Sequence, residues 1–275
     1  MLSQLNRIAP RQAAHFSKWL LSRGYRQRER ELARLKALPR YRATVTTLLG
    51  RPLHILDSGS FLFMKGEIFD QQIYAFPSIA TSPRIIDGGA NIGLSVLFFK
   101  QYYPDSRITA FEPDGRVFSV LEKNVQNYAC CDIELLQRAL WSSETTLEFE
   151  SEGADGGRLL RAGDAGNNSV RTVRLRNYLS EPIAFLKLDI EGAETEVLID
   201  CADRLESVQN LFVEYHSFVN EPQTVHRILD ILAKAGFRVH IHPPVTSPQP
   251  FIRRNVHLGM DMQLNIFAFR QSSEG

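Results

Sequence analysis

The sequence predicts an α/β protein built on a doubly wound, mostly parallel sheet with a helical extension at its N-terminus. Three observations carry this. From about residue 84 onward, short apolar runs alternate with stretches whose apolar residues recur at helical spacing. The turn "DGGANIG" (87–93) joins the first such run to the first such stretch and places three glycines where a strand must bend into a helix. With 275 residues, 44% of them apolar, the chain can bury one sizeable core.

The elements follow in order. Residues 1–42 form a basic arm, with eleven Lys/Arg against only Glu29 and Glu31, which leaves 21 bases and 29 acids for residues 43–275. Such an arm suits an acidic partner such as RNA, a phosphorylated glycan or the anionic surface of a membrane. It also suits a solvated helix that packs Phe16, Trp19, Leu20, Leu32, Leu35 and Leu38 on the body, or that pairs two copies into a homodimer. In the lead-in segment, residues 43–78, "LHIL", "DSG" and "FLFMKG" read as a hairpin around a Ser-Gly turn, and "EIFDQQIYAF" as a helix.

The main domain, residues 79–275, opens with a strand ending at Ile85–Asp87 and a helix over 92–103. Strand 107–112 and helix 114–127 come next, the latter with Val117, Val120, Leu121 and Val125 on one face. "DIELLQRAL" reads as one strand, and "TTLEFE" with "SVRTVRLR" as an added antiparallel pair around a Gly-rich loop. "AFLKLDI" and "NLFVEYH" are buried strands separated by a helix starting near Gly192. Helix 222–235 and the strands "RVHIH" and "QLNIFAFR" complete the chain. Ligands of such sheets bind at the carboxyl ends of the strands.

No apolar run approaches the roughly 20 residues that span a bilayer. The first residues, "MLSQLNRIAPRQAAHF", lack the apolar block of a secretory signal, so the expected compartment is the cytoplasm. Cys130, Cys131 and Cys201 have no metal-ligand spacing and form no paired framework, so they read as reduced thiols.

The glycines at 88, 89 and 93 permit unusual dihedrals and close backbone approach, and the helix that follows offers its first amides to a carboxylate or phosphate. Asp87, at the strand end, can accept from a ligand ammonium or fix the loop. Glu112, at the tip of the second strand, stands where an acid commonly holds ribose hydroxyls. NAD enzymes use the same geometry. A dinucleotide fingerprint read from Gly88, however, runs Gly88, Ala90, Gly93, with alanine at the glycine that admits the pyrophosphate. Asp87 would repel that pyrophosphate. S-adenosylmethionine, with no phosphates and a positively charged amino-acid end, fits better.

The segments "IIDGGANIGLSVLFF", "ITAFEPD", "QRALWSSETTLEFE", "FLKLDIEGAETEVL" and "LFVEYH" resemble, in order and spacing, the FkbM family of S-adenosylmethionine-dependent methyltransferases, and "GEIFDQQIYAF" looks like the segment before its core. The similarity covers roughly residues 66–240, with "KLDIEGAE" the most specific piece; the arm and the tail after His242 lie outside it. The resemblance implies a class I methyltransferase fold, Rossmann-like, with seven strands and the last antiparallel. It implies S-adenosyl-L-methionine as cofactor, held by Asp87, Gly88, Gly89, Asn91 and Gly93, with Glu112 on the ribose and Asp132, or Arg138 and Ala139, near the adenine. It further implies methylation of a free hydroxyl on a small molecule or glycan: a saccharide, glycolipid or secondary metabolite.

Methyl transfer is an in-line displacement, so the protein aligns the reactants and takes a proton from an alcohol. Asp189 and Glu191 end one central strand and His216 its neighbour, with Glu214 at the same two-residue spacing from His216. Asp189, Glu191 and His216 are the catalytic candidates. They can serve as base and orienter, or Asp189 and Glu191 can hold a divalent cation such as magnesium. Lys187 reads as a buried ion-pair partner, Glu194 and Glu196 as helix surface, and His240 and His242 as a solvated or substrate-facing edge. The loop 152–168, "HPPVTSPQP" and the arm are expected to frame the acceptor pocket. Three other readings remain: an RNA methyltransferase using the arm, a non-catalytic scaffold, and an NAD-binding oxidoreductase. Against RNA stands "LDIEG", where base-amino methyltransferases carry an Asn/Asp-Pro-Pro-aromatic type of motif.

Overall fold

A computed structural model describes residues 23–151, 157–159, 166–256 and 258–271. Seven strands form the central sheet, in the spatial order β12, β13, β11, β10, β3, β4, β5. They are β3 (Arg84–Gly88), β4 (Arg107–Phe111), β5 (Ile133–Leu136), β10 (Ile183–Leu188), β11 (Val208–Phe218), β12 (Arg238–His242) and β13 (Met260–Phe269). Every pairing from β5 through β11 is parallel, and β13 runs antiparallel to both β11 and β12. This is the mostly parallel, seven-stranded sheet with an antiparallel last strand that the sequence leads one to expect. Strand order reverses between β3 and β10, which makes their carboxyl ends the switch point.

Both faces of the sheet are covered, and the alternation within β3 shows how. Ile85 belongs to one apolar cluster with Phe98, Phe99, Phe185 and Phe212; Ile86 belongs to the other with Leu186, Leu188, Val213 and Ile266. Helices α3 (Leu94–Tyr102) and α4 (Gly115–Asn127) pack on the first face, and α5 (Glu194–Cys201) and α6 (Val225–Lys234) on the second. Each fully buried side chain of this size contributes roughly 1.5–3 kcal/mol.

The lead-in differs from the expected hairpin. β2 (Leu53–Ile55) pairs with β1 (Thr44–Thr46), while "SGSFLFMK" forms helix α2 (Ser58–Lys65). The cause is a cap: Asp57 accepts the Ser60 amide at 2.8 Å and is itself held by Arg40 and the Tyr41 amide, partners 16 or 17 residues away. The expected helix over 67–76 is correspondingly displaced. α2 runs on into one π-helical turn, Gly66–Asp70, and the chain beyond it carries Tyr74 into a ring cluster with Phe98, Phe99, Phe185 and Phe212. Of the arm, helix α1 (Arg23–Lys36) is described; its Leu35 is buried and Leu32 half-buried, while Phe16, Trp19 and Leu20 lie outside the described residues.

"DIELLQRAL" is not one strand. It bends at Gln137–Arg138, so that β5 closes the main sheet and β6 (Ala139–Trp141) opens a second. There β6 pairs with β9 (Asn168–Arg174), and β9 with β7 (Thr146–Glu150) in the expected antiparallel pair; β8 (Arg158–Leu159) adds an edge. Of the loop 152–168, residues 152–156 and 160–165 lie outside the described residues. Among the described residues, no helix is long and apolar enough to cross a membrane.

Candidate active site

At the switch point lies a cavity of about 360 Å³. The glycine turn forms one side of it. Gly89 (φ 81°), Asn91 (φ 49°) and Gly93 (φ 93°) are all left-handed, which delays the start of α3 to Leu94 rather than the expected 92. A Cβ on Gly89 would stand 1.8 Å from the Asp189 carbonyl oxygen, so glycine is required where the tips of β3 and β10 meet. The amides of residues 89–93 are all taken up within the protein. Gly89 and Ala90 donate to the Phe111 carbonyl, Asn91 to Glu112, Ile92 to the Asn91 side chain and Gly93 to the Ala90 carbonyl. A turn closed in this way is no pyrophosphate cradle.

Glu112 is buried at the tip of β4 and lines the cavity. One carboxylate oxygen accepts the Asn91 amide at 3.0 Å and the other the Asp114 amide at 2.9 Å. Burial nevertheless pushes its pKa up to about 8. Asn91, Gly89, Arg138 and Ala139 share the lining with it. Asp87, Gly88 and Gly93 stand behind that lining. Asp87 is fully buried, takes a hydrogen bond from Ser95 and faces the Lys187 ammonium at 3.4 Å. Asp132 lies at the amino end of β5, where its carbonyl meets Ile108 at the start of β4, at the opposite end of the sheet from the cavity.

The other side of the cavity is built from the ends of β10 and β11. Asp189 follows β10, and Glu191, two residues on, has already left the strand in a left-handed conformation (φ 53°); both still line the cavity, as do Glu214 and His216. His216 Nδ1 lies 3.0 Å from Glu194, and Nε2 lies 3.6 Å from Glu191 and 3.9 Å from Glu214. Burial opposes charging of this ring, but the carboxylates of Glu191, Glu194 and Glu214 outweigh it and hold the histidine pKa well above its ordinary value. Glu214, hydrogen-bonded by Gln263, is pushed up to about 8 by burial and then by Asp189. Ligand atoms of Asp189, Glu214 and His216 fall within 4.8 Å of one another, a spacing that can hold a metal ion.

Lys187 joins the two sides. Buried as expected, it donates to the Gly89 carbonyl at 2.7 Å and pairs with Asp189 at 3.1 Å as well as Asp87. Its pKa is raised because Asp189 and Asp87 together outweigh the penalty of burial.

Two acids escape a reading of the sequence. Glu194 is not helix surface but buried: its carboxylate accepts the Ile190 and Gly192 amides at 3.1 Å besides meeting His216. The signal was present, since an acid in a first helical turn commonly reaches back to the loop amides before it. Glu196 is exposed, as expected. Glu67, from the π-helical turn, also lines the cavity, and burial and then Asp189 raise its pKa; only tertiary packing brings it there. His240 and His242 lie on fully exposed β12, 2.7 Å apart through Nε2, away from the lining.

Comparison with known proteins finds a family and relatives. Residues 87–239 match the model of the methyltransferase FkbM domain. The chain is similar to the methyltransferase sdnD of Sordaria araneosa, 32% identical over 191 residues, covering 55% of this chain and 73% of that one. It is similar also to the 31-O-demethyl-FK506 methyltransferase FkbM of Streptomyces tacrolimicus, at 26% identity over 54% of this chain and 71% of that one. Among solved structures, a methyltransferase FkbM from Methylobacillus flagellatus KT aligns with a TM-score of 0.47 and 15% identity, over 70% of this chain and 45% of the other.

Proposed function

The chain belongs to the FkbM methyltransferase family, and from that premise we propose that it is an S-adenosyl-L-methionine-dependent O-methyltransferase acting on a hydroxyl of a secondary metabolite, saccharide or glycolipid. The observation that carries the reading is the charge of the cavity wall. Glu67, Glu112, Asp114, Asp189, Glu191 and Glu214 line a space that Arg40, Arg138, Lys187 and His216 also line, an acid-rich set suited to a positively charged cofactor and unsuited to a dinucleotide. When bound, S-adenosyl-L-methionine supplies an electrophilic methyl group on a sulfonium.

Gly89 and Asn91 hold the cofactor at the turn, which Asp87, Gly88 and Gly93 shape from behind. Glu112 takes the ribose hydroxyls, and Arg138 and Ala139 border the base. His216 is the base for the acceptor hydroxyl: Glu194 fixes Nδ1, leaving Nε2 toward the cavity. A positive charge received among these acids lowers the histidine pKa, which favours the proton-accepting ring. Asp189 and Glu191 orient the acceptor. The name of the Streptomyces relative, which carries an O-demethyl acceptor, supports oxygen as the methylated atom. A second reading, favoured by the spacing of Asp189, Glu214 and His216, has these three hold magnesium to acidify the hydroxyl. Lys187, already 3.1 Å from Asp189, weighs against it.

Calorimetric titration with S-adenosylhomocysteine, wild type beside Glu112→Ala, tests the cofactor. Binding at about micromolar affinity, weakened at least tenfold in the variant, is expected; no heat and no thermal stabilisation would remove the cofactor reading. Product formation from hydroxylated acceptors that survives a chelator separates the base from the magnesium reading.

A further inference from the structure

Between β12 and β13, residues 243–259 hold four prolines, two adjacent arginines and no acid. The excursion is well built. Asn255 reaches across it to Ser247 (2.9 Å) and Thr246 (3.2 Å), and the amides of Ile252 and Arg253 close on the Gln249 carbonyl at 3.0 and 2.7 Å. Its inner side belongs to the cavity, through Val245, Leu258 and Met260. Its outer end does the opposite of what a solvated turn does. Phe251 is fully exposed and Ile252 is 84% exposed, side by side at the apex, with Arg253 and Arg254 directly behind them. Among the described residues, neither arginine has an acidic partner.

Phe251 and Ile252, even with the half-exposed Val256 and Leu258 of the same excursion, make a patch short of a specific protein interface, which takes about 800 Å² from each partner. They fit a lipid bilayer, where a phenylalanine and an isoleucine enter below the headgroups and arginines lie among the phosphates. The prolines and cross-loop hydrogen bonds hold the wedge in shape, so little ordering is lost on docking. We propose that residues 249–254 are a docking tip for anionic phospholipid surfaces, which holds the mouth of the cavity against the bilayer. The proposal rests on the tip alone, whatever the cavity methylates.

Sedimentation of the full chain with phosphatidylcholine vesicles, with and without phosphatidylserine, tests it. The wild type should bind the anionic vesicles more tightly and lose that advantage in salt. Replacing Phe251→Ser and Ile252→Ser together should weaken binding at least about tenfold. Arg253→Gln and Arg254→Gln should each cost about fivefold, on anionic vesicles only. In a Phe251→Trp variant, lipids brominated on their chains should quench fluorescence beyond the quenching of Trp19 and Trp141 that the wild type shows, a readout of where the tip lies. The proposal falls if the wild type sediments with neither vesicle, if tip variants bind as the wild type does through the basic α1, or if the tryptophan is not quenched. It falls also if the tip variants alter only self-association, which would make the tip a protein contact.

Discussion

The two sides of the cavity are built on opposite terms. Around the glycine turn every amide from 89 to 93 has a partner within the protein, and shape is set by contacts as close as that of Gly89 with the Asp189 carbonyl. Around His216, three carboxylates surround one ring, and burial pushes Glu214 up to about 8. Shape is fixed where no charge has to change, and charge is left unbalanced where the proposed function has a cation received and a proton moved.

The contrast breaks most sharply at Gly89. Gly89→Ala must push the β3 and β10 tips apart and strain a left-handed residue, at an expected cost of about 4 kcal/mol or more in urea denaturation. A loss within about 1 kcal/mol would mean that packing does not shape the turn. Next in size, His216→Gln should lower kcat by about 10²–10⁴ while leaving S-adenosylhomocysteine affinity intact; equal losses in both would make the histidine a purely structural residue.

Glu194→Ala should cost about 3 kcal/mol, because two loop amides and a charged ring lose their acceptor, and NMR titration should show the His216 pKa falling. At the exposed Glu196 the same change should stay within about 0.5 kcal/mol. A pH effect sharpens the comparison further. Glu112 and Glu214 titrate near 8 when folded against an ordinary 4.5, so the folded state keeps protons the unfolded chain has released. Stability is therefore greatest on the acid side and falls as pH rises from about 5 to 8. Glu112→Gln should flatten that slope by about 3 kcal/mol over the interval, as thermal melts at several pH values would show.

The turn and the central strands are legible in the sequence because local pattern decides them: glycines where φ is positive, and apolar runs where both faces are covered. The hairpin expected at 53–66 failed because Asp57 finds its partners in Arg40 and Tyr41, which no local pattern announces. The strand expected over 132–140 failed because its bend serves two sheets at once. In the site, the two-residue spacing of Asp189 with Glu191 and of Glu214 with His216 identifies which residues approach the cavity. It does not identify Glu67, which arrives from a helix more than a hundred residues away in sequence.

Lys187 gives the arrangement a thermodynamic consequence. One ammonium touches the Gly89 carbonyl on the turn and the Asp189 carboxylate on the acidic side, so a ligand that draws Asp189 away changes what the turn is tied to. On the proposed function, cofactor and acceptor are thereby coupled through a single buried cation. Coupling of this kind is reciprocal: whatever factor the first ligand gains or loses for the second, the second returns to the first.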